Sequence, residues 1–471
     1  MGTFTHDLST GLTDYGRYDV AVKSVASGYE DSDTVHLAYD IGATIYIESN
    51  RYIKVSDVIT GVVAFRLFVD DVEEDYVEYD NTAGWNIDLD NYDFADGRHI
   101  ATLCAIGAAG SIADNRSNPV AFFSGVAPIY GVSGLYDSNR ALTRTDDAVG
   151  MTYLINSSSG AIDSDFNNVF PWNEAEVVEL SAGKFLRLPD MYFRIGVDAE
   201  NRITDVAVSS MPSGGGDWYL VAGFDVACYG AGTNGSALNS VSGVSRRTNT
   251  TRANFRTYAR NTGEGFYQYD LYHHTVLQFL WLIEWATKDS ASVMTGRISG
   301  SGTSGGSSIR PTGGTDSVET PSGFETAYAQ MRWHYIEDFV GNVREFIDGA
   351  INTSPSTPSY VTADPSKFSD SDTASMTALS YNNANTNNGN CIAALGWDSD
   401  NPFMCIPIET VNNSNFNTYF CDGYYCNVGN PVLNCGAYYS NANAGYGVFY
   451  MNSGSAGVSN TNLGARLLHS S

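Results

Sequence analysis

The chain contains the stretch RWHYIEDFVGNVREFIDG at residues 332–349, in which a turn signal lies between large aromatic side chains. Gly341 followed by Asn342 favours a tight turn, because both residue types tolerate backbone conformations that other residues avoid. The aromatic residues on either side of the turn, such as Trp333 and Phe346, are expected to pack in a core. The stretch therefore predicts a buried element around which neighbouring segments assemble.

A helix is predicted upstream of this stretch, over residues 270–287. Leu280 and Trp281 belong to a set of apolar residues at helical spacing, and Asp270 is placed to cap the N-terminus. Glu284 lies one turn after Leu280, and we expect it to be a buried structural carboxylate paired with an upstream arginine. Its position does not favour a catalytic role.

Residues 299–323 form a segment rich in Gly, Ser and Thr between the predicted helix and the aromatic stretch. The segment contains no GxxxxGK[ST] pattern, so it is not a phosphate-binding loop. We interpret it as a surface loop or as an arm that contacts another subunit.

Several motifs follow one another in the order found in one fold family. Residues 332–349 resemble the E-D-x-x-G-N-V-W-E-W-V-D-G signature shared by formylglycine-generating-enzyme-like domains and phage lectin-like domains. Residues 166–172, FNNVFPW, are similar to the F-D-x-x-Y-P-W segment of that family, and residues 188–194, LPDMYFR, are similar to its I-P-K-F-Y-Y-K strand. The resemblance implies a C-type-lectin-like domain over residues 126–471.

The chain departs from the family signature at two positions. Arg344 and Phe346 stand where the family has tryptophan, so local packing is expected to differ there. The residues that the resemblance assigns to holding the fold are Trp172, Trp281, Trp333, Gly341, Asn342 and Arg466.

The C-terminal stretch 417–462 has a composition unlike that of an ordinary protein surface. It reads NTYFCDGYYCNVGNPVLNCGAYYSNANAGYGVFYMNSGSAGVSNTN and holds nine Asn, seven Tyr and three Cys, with Asp422 as its one charged residue. A solvent-facing segment ordinarily carries about a quarter charged residues. Surfaces rich in Tyr, Asn, Ser and Gly are typical of antibody combining sites. The composition favours a ligand-binding surface, and a β region packed within its own subunit is the alternative.

The residue types missing from this region indicate how the composition arose. No Lys, Arg, Glu, Gln or Trp occurs between Thr410 and Ala465. Substitution of both adenines in an Asn codon that ends in a pyrimidine gives Asn, Tyr, Cys, Asp, Ser and Gly among others, but never Lys, Glu, Gln, Met or Trp. That is the mutational spectrum of a diversity-generating retroelement. The G-A-R-L at residues 464–467 resembles the end of the variable proteins that such elements diversify, a group that includes phage tropism determinants, so a variable segment is predicted at about 417–466.

This resemblance implies that the variable segment forms a ligand-binding face. The ligand would be a host cell-surface receptor, either a protein or a glycan. A homotrimer is expected because relatives of this kind are often trimeric, and a monomer is the alternative. The predicted face consists of Tyr419, Tyr424, Tyr425, Cys426, Asn427, Asn430, Asn434, Tyr438, Tyr439, Asn441, Asn443 and Tyr446.

Residues 1–125 carry the alternation of half-buried strands. Two segments that begin at Gly16 and Gly97, 81 residues apart, each place Gly-Arg before a predicted strand. A repeat of about 80 residues suits a small β-sandwich, and the pattern resembles the immunoglobulin-like or fibronectin type III modules of phage and surface proteins. We expect a partial repeat or attachment arm over 1–40 and an immunoglobulin-like β-sandwich over 41–125, which would serve as a spacer or docking module.

The charge balance disfavours two classes of partner. Lys and Arg total 25 against 53 Asp and Glu, which gives a net charge of −28. Nucleic acids and anionic membrane surfaces both require a basic footprint, so we expect no nucleic-acid partner. The longest apolar run, around residues 276–286, is too short for a membrane span, and the first ten residues lack a signal-peptide pattern. These features fit what the resemblance implies, a virion protein that is assembled in the bacterial cytoplasm with other tail proteins.

Enzyme chemistry and metal binding have little support in the sequence. The seven cysteines form no CxxC pair and no Cys/His cluster, so free thiols are expected and a zinc site is not. Formylglycine-generating enzymes act through two positioned thiols, but Cys421, Cys426 and Cys435 have no neighbouring His or basic cluster that would lower a thiol pKa. We predict no catalytic residue, cofactor or metal, and oxidoreductase activity is a remote alternative.

Together, these patterns predict a mainly β protein whose C-terminal domain is α+β. The expected function is that of a phage receptor-binding protein at a tail-fibre tip. The main alternative is a structural tail or decoration protein that uses its lectin-like domain for assembly only.

Overall fold

The computed structural model divides the chain into two compact units, Met1–Ala127 and Pro128–Ser471, which we call unit 1 and unit 2. It is mainly β, as predicted. No helix among the described residues is long and apolar enough to cross a membrane. The structure describes residues 16–22, 35–41, 45–48, 52–55, 62–80, 82, 85–95, 97–107, 116–117, 119–213, 215–298, 309–324, 330–385, 390–412, 417–440 and 446–470.

The described part of unit 1 consists of strands joined into three antiparallel sheets. Its strands are β1 (Gly16–Val22), β2 (Val35–Ile41), β3 (Ile45–Glu48), β4 (Tyr52–Val55), β5 (Val62–Val69), β6 (Val72–Glu78), β7 (Asn86–Asp88), β8 (Gly97–Gly107) and β9 (Val120–Ser124). Strands β1 and β2 pair with each other, β3-β4-β7 form a second sheet, and β6-β5-β8-β9 form a third. The segments predicted as strands after Gly16 and Gly97 are therefore strands β1 and β8.

The two larger sheets of unit 1 share one hydrophobic core. Ile53 of the three-stranded sheet and Phe65, Leu67 and Leu103 of the four-stranded sheet are fully buried. Phe65 and Leu67 lie two positions apart on β5, as expected when alternate side chains point to the same face of a strand. The two sheets therefore pack against each other around this core.

The described part of unit 2 combines many short strands with three α-helices. The strands are β10 (Ile129–Ser133), β11 (Thr143–Asp146), β12 (Tyr153–Ile155), β13 (Ala161–Ser164), β14 (Glu176–Leu180), β15 (Gly183–Leu188), β16 (Met191–Val197), β17 (Ile203–Ser209), β18 (Trp218–Val221), β19 (Phe224–Ala227), β20 (Gly232–Asn234), β21 (Ala237–Asn239), β22 (Phe266–Gln268), β23 (Ser322–Phe324), β24 (Met331–Trp333), β25 (Ile336–Glu337), β26 (Arg344–Ile347), β27 (Ala350–Ile351), β28 (Tyr360–Val361), β29 (Thr377–Ala378), β30 (Asn390–Leu395), β31 (Pro407–Val411), β32 (Gly423–Tyr425), β33 (Val432–Cys435), β34 (Met451–Gly454), β35 (Leu463–Gly464) and β36 (Leu467–Ser470). The helices are α1 (Arg252–Arg260), α2 (Leu271–Trp285) and α3 (Ser290–Val293).

Two sheets of unit 2 position its C-terminal residues. The first has the order β14-β15-β19-β36-β22, so the last strand of the chain lies between β19 and β22. The second has the order β31-β30-β32-β34-β33-β26-β35 and holds β32 to β35 of the variable segment beside β26 of the aromatic stretch. The segment is thus built into a sheet and does not form a separate loop. Two further five-stranded sheets have the orders β11-β10-β17-β16-β18 and β12-β13-β23-β24-β25.

Helix α2 confirms the helix predicted over residues 270–287. The side chain of Asp270 caps its N-terminus by accepting a hydrogen bond from the backbone N–H of His273 at 2.9 Å. The helix ends at Trp285, and the cap residue Ala286 that follows has a φ of 48°, in the left-handed region. Nearly all of its side chains are buried, so the predicted single apolar face is too narrow. A helix enclosed on all sides by a core is expected to be apolar all round.

The expected partner of Glu284 was wrong. Its carboxylate is fully buried and accepts hydrogen bonds from Trp333 Nε1 at 2.7 Å and His334 Nε2 at 2.8 Å. The ring of His334 stacks on Trp172 with a centroid distance of 3.7 Å. These contacts make Glu284 the polar link between α2 and the aromatic stretch, because a buried carboxylate is tolerated only when it is hydrogen-bonded.

The upstream arginines of α1 pair with a different pair of carboxylates. Arg256 donates two hydrogen bonds to Asp348, at 2.6 and 2.9 Å, and Arg252 donates to Asp370 at 2.8 Å. Arg252 and Arg256 are one helical turn apart and lie on the same face of α1. They attach this helix to the end of the aromatic stretch.

The predicted turn at Gly341 and Asn342 is confirmed. Both residues have positive φ angles, 92° and 61°. A Cβ at position 341 would lie 2.5 Å from the backbone nitrogen of Arg297, so only glycine fits this close approach. The buried amide of Asn342 donates to Asp338 Oδ2 at 2.7 Å and to the carbonyl of Arg310 at 3.0 Å.

The loop predicted over residues 299–323 is only partly a surface feature. Residues 299–308 lie outside the described part of the chain. In the remainder, Thr315 is fully buried, and the backbone N–H groups of Gly313 and Thr315 donate to the carboxylate of Glu337 at 2.8 and 2.9 Å. This half of the segment packs against the aromatic stretch because its N–H groups solvate a buried carboxylate.

The arginine of the G-A-R-L sequence forms a buried ion pair. Arg466 is fully buried and donates to both carboxylate oxygens of Glu345, at 2.9 and 3.0 Å. It also donates to the carbonyls of Ala227 at 2.8 Å and Glu337 at 2.7 Å. A second buried arginine, Arg246, donates to Glu345 at 2.8 Å. The chain end, β19 and the aromatic stretch are therefore joined through one guanidinium group.

Replacement of Arg466 by Ala is expected to destabilise unit 2 by about 3–5 kcal/mol, because Glu345 would remain buried after the loss of its bidentate partner. Denaturant unfolding followed by tryptophan fluorescence measures the loss, since six of the seven tryptophans lie in unit 2. Arg260→Ala is the control, because Arg260 is exposed and donates to the carbonyl of Pro365. Equal losses in the two variants would contradict the assigned role of Arg466.

Candidate ligand-binding surface

Strand register decides which residues of the variable segment reach the surface. Strands β32 and β34 run parallel with Tyr424 opposite Met451 and Tyr425 opposite Asn452. Tyr424 and Met451 are buried in the main core of unit 2. Tyr425 and Asn452 point to the other face of the sheet and are half-buried, because successive side chains of a strand alternate between faces.

Three tyrosines lie around the guanidinium group of Arg344, and a fourth tyrosine packs against one of them. The guanidinium carbon of Arg344 lies 5.0 Å from the ring centroid of Tyr438, 5.3 Å from that of Tyr446 and 4.8 Å from that of Tyr450. The ring of Tyr450 lies 4.6 Å from that of Tyr446 and 6.0 Å from that of Tyr425. We call these five residues the tyrosine cluster. Cation–π attraction and ring packing hold the cluster together.

Two tyrosines of the cluster, Tyr425 and Tyr450, keep their hydroxyl protons at neutral pH. Burial raises the pKa of Tyr425 above its ordinary value, and the neighbouring Tyr446 raises it further. Burial also raises the pKa of Tyr450. A protonated phenol both donates and accepts a hydrogen bond, so the cluster combines apolar ring surface with adaptable polar groups.

Four other predicted face residues are also partly exposed. Tyr439 adjoins the cluster, with its ring 5.8 Å from that of Tyr438. Asn427 and Asn430 form the turn between β32 and β33, where the N–H of Asn430 donates to the carbonyl of Asn427 at 3.2 Å. Tyr419 contacts a different part of unit 2: its ring lies 5.9 Å from the ammonium group of Lys288.

Three predicted face residues are buried, and their assignment to the ligand face is corrected. Tyr424 and Cys426 have no exposed surface and Asn434 is 1% exposed. Tyr424 faces the core through strand alternation, and Cys426 lies within 3.2 Å of the amide nitrogen of Asn352. Asn434 pairs across the sheet with the buried Phe346. Asn441 and Asn443 lie outside the described residues.

Two members of the cluster were not predicted. Tyr450 belongs to the same tyrosine-rich stretch, but it is 2% exposed and supports the more exposed rings. Arg344 lies on β26, which precedes the variable segment by more than 60 residues. Its replacement of a family tryptophan was the one sequence signal that the position was unusual, and it did not indicate contact with the tyrosines.

Asp422, the one charged residue of the stretch 417–462, is fully buried. Its Oδ2 accepts hydrogen bonds from Ser290 Oγ at 3.2 Å and from the backbone N–H of Phe449 at 3.3 Å. A Cβ at Gly447 would lie 2.6 Å from Oδ1. Burial raises the pKa of Asp422 to about 7. The carboxylate therefore has a structural role and is not available to a ligand.

The thiols of the segment are not activated. All seven cysteines are buried free thiols, and burial raises the pKa values of Cys421, Cys426 and Cys435. A raised pKa keeps a thiol protonated and weakens it as a nucleophile. Within the described residues, no group of three or more His, Cys, Asp or Glu side chains could hold a metal ion. The arrangement supplies contact surface and hydrogen bonds, which suit binding.

Comparison with known proteins gives no family: no protein-family model matches the chain, and no curated protein matches it.

Adjacent tyrosines provide a test of the corrected face. Tyr424→Ala is expected to lower the free energy of unfolding by about 3–5 kcal/mol, as for other large aromatic side chains removed from a core. Tyr425→Ala is expected to cost about 1 kcal/mol, because the ring is half exposed. Denaturant unfolding of both variants measures the difference. A larger loss for Tyr425→Ala would show that the two side chains are assigned to the wrong faces.

Asp422 makes stability depend on pH. An unfolded Asp titrates near pH 3.9, whereas Asp422 in the folded protein titrates near 7. Between these values the folded state holds a proton that the unfolded state lacks, so the free energy of unfolding falls as pH rises from about 4 to 7 and then levels off. Asp422→Asn is expected to remove this component and to be more stable than wild type at pH 8 by on the order of a few kcal/mol.

The measurement is denaturant unfolding of wild type and Asp422→Asn from pH 4.5 to 8.5. Glu337, whose pKa burial also raises to about 7, contributes to both proteins. The difference between the two pH curves is therefore the quantity that reports Asp422. Parallel curves would exclude a raised pKa at this position.

Proposed function

We propose that the chain is a receptor-binding protein of a phage tail, which presents a retroelement-diversified surface on a C-type-lectin-like scaffold. Its ligand is a receptor on the host cell surface, protein or glycan. The binding surface consists of the tyrosine cluster with Tyr439, Asn427 and Asn430 beside it. The chain acts by binding and carries out no chemical step.

One observation carries this proposal: the variable segment separates into buried anchors and a partly exposed tyrosine surface. Asp422 and Arg466, near its two ends, are fully buried, whereas Tyr425, Tyr438 and Tyr446 are partly exposed and close together. Rigid aromatic rings with small polar neighbours are the side chains that binding surfaces favour. A surface of this kind tolerates substitution, because the residues that hold it in place are separate from those that it displays.

The architecture supports the two resemblances on which the proposal also rests. In unit 1, a three-stranded and a four-stranded sheet around one core suit an immunoglobulin-like or fibronectin type III module. In unit 2, the buried Arg466 and the turn at Gly341 and Asn342 give structural roles to the residues that carry the lectin-like resemblance. Fold alone does not fix a ligand, so the functional argument depends on the tyrosine cluster.

Assembly on a virion completes the proposal. Several copies of the chain, arranged as a homotrimer and joined to other tail proteins, would engage several receptors at once. Such multivalent display raises avidity by about 10²–10⁴ without any new contact at each site.

A second candidate is a structural tail or decoration protein. Leu154 is 73% exposed and Ile155 is 38% exposed, and both lie on β12, the edge strand of its sheet. Exposed apolar edge strands favour association with another chain. This observation is compatible with a chain whose C-terminal segment is fixed and whose main role is assembly.

Deep sequencing of the encoding locus from a propagated phage population tests the proposal. We expect an adenine-rich near-copy of the sequence for residues 417–466 and substitutions confined to adenine positions. Variation should be retained at the codons of Tyr425, Tyr438 and Tyr446 and depleted at that of Tyr424, because only the last side chain is needed in the core. The neighbouring codons for Tyr424 and Tyr425 provide a matched comparison.

An invariant segment without a template copy would overturn the diversified surface and favour the structural candidate. Variation spread equally over the codons for buried and partly exposed residues would instead contradict the ligand face assigned to the tyrosine cluster.

A further inference from the structure

A groove in unit 2 shares no lining residue with the tyrosine cluster. It has a volume of about 640 Å³ and lies where β16, β17 and β18 meet the loop at residues 397–400. Small-molecule sites commonly have volumes of about 300–1,000 Å³. Gly196, Asp205, Asp217, Tyr219, Trp397 and Asp400 are among its lining residues.

The walls of the groove are tied together by hydrogen bonds. The backbone N–H of Trp397 donates to the carbonyl of Asn201 at 2.9 Å, which joins the loop to the turn between β16 and β17. The carboxylate of Asp398 accepts from the backbone N–H groups of Ser380 at 2.9 Å and Asp400 at 3.1 Å. The groove is therefore preformed, and a ligand would not have to order the loop on binding.

A glycine holds one wall of the groove open. A Cβ at Gly196 would lie 1.8 Å from Oδ2 of Asp205, so any larger residue would displace this carboxylate. Asp205 Oδ2 also accepts a hydrogen bond from Thr204 Oγ1 at 2.8 Å. The absence of a side chain at position 196 thus creates the space in which the Asp205 carboxylate sits.

The groove combines aromatic surface with carboxylates. Tyr219 is half-buried and lies edge to face against Trp397, with ring centroids 5.1 Å apart. Asp205, Asp217, Asp398 and Asp400 place four carboxylates along the lining. Arg194 is the one lysine or arginine of the lining, and its guanidinium pairs with Asp146, outside the groove, at 3.0 Å.

We propose that this groove binds a saccharide unit that carries no acidic group. The apolar C–H face of a sugar ring would pack on Tyr219, while its hydroxyl groups, or the ammonium group of an amino sugar, would donate to Asp205, Asp217 and Asp400. Charge-assisted hydrogen bonds to carboxylates are stronger than neutral ones, and an ammonium group adds Coulomb attraction. The inference is independent of the proposed receptor surface.

Other ligand classes fit the groove less well. An anionic sugar would meet four carboxylates and one already paired guanidinium, so repulsion would oppose binding. A purely apolar ligand would remove carboxylates from water without giving them hydrogen bonds. A bare metal ion lacks a ligand set, because no three His, Cys, Asp or Glu side chains among the described residues are grouped for one.

Calorimetric titration of the full chain with three oligosaccharides tests the proposal. Oligomers of glucosamine and of N-acetylglucosamine are expected to bind saturably, whereas oligomers of galacturonic acid are not. The glucosamine oligomer should bind more tightly than its acetylated form, and its affinity should fall with added salt, since salt screens exposed charges. Failure of both non-acidic oligomers to bind, or equal affinity for the galacturonic acid oligomer, would overturn the proposal.

Variants locate the binding site. Tyr219→Ala, which removes the ring, and Gly196→Val, which fills the groove, are each expected to weaken binding of both non-acidic oligomers at least tenfold. Arg260→Ala, which changes an exposed residue outside both the groove and the tyrosine cluster, is the control and should leave their affinity unchanged. Tyr446→Ala tests whether the sugars bind to the tyrosine cluster instead. A loss with Tyr446→Ala but not with Tyr219→Ala would place the sugar on the cluster and refute the groove.

A further variant distinguishes loss of binding from loss of folding. Asp217 and Asp400 are exposed, so the double variant Asp217→Asn with Asp400→Asn should fold as the wild type does. It is expected to weaken glucosamine binding at least tenfold and N-acetylglucosamine binding less. Unchanged glucosamine affinity in this folded variant would exclude the carboxylates as its partners.

Discussion

The buried contact between Arg466 and Glu345 is the constraint on which unit 2 depends. Its two charges leave water together, and the cost is offset only because the guanidinium donates to both carboxylate oxygens and to two backbone carbonyls. Arg246 adds a second guanidinium to Glu345 at 2.8 Å and approaches Asp338 at 3.4 Å. Three segments distant in sequence must come together before these charges are satisfied. The contact therefore favours one arrangement of the chain end over others that bury the same apolar residues.

The contact between Arg466 and Glu345 holds the end of the variable segment in place, and the buried Asp422 holds the segment near its start. Ser290 follows α2 and donates to Asp422, so the segment is attached to the helical side of the core as well as to the aromatic stretch. Between these anchors, β32, β33 and β34 pair with one another and with β30 and β26. Side chains on the outer face can change without disturbing either anchor. The residues that hold the segment in place are therefore different from the residues that form its outer face.

The sequence predicted the elements whose signals are local. Asp270 as a helix cap, Gly341 with Asn342 as a turn, and Trp333 as a core residue each follow from a residue and its near neighbours, and the structure confirms all three. Contacts between distant segments could not be predicted in this way. Glu284 was expected to meet an arginine and meets Trp333 and His334, because the choice among buried partners depends on which strand lies beside α2.

The candidate site, too, could be predicted from the sequence only in part. Composition indicates which residue types a segment contains, but strand register decides which of them face outward. Tyr424 and Tyr425 are adjacent and chemically identical, yet one is in the core and the other at the surface. A shift of the strand by one residue would exchange their positions, so the register must be fixed before any face can be assigned. The register of β32 is set by pairing with β30 and β34, and β34 pairs in turn with β33, which lies beside β26 and the Arg466–Glu345 contact. The exposed tyrosines consequently depend on a charge pair that none of them touches.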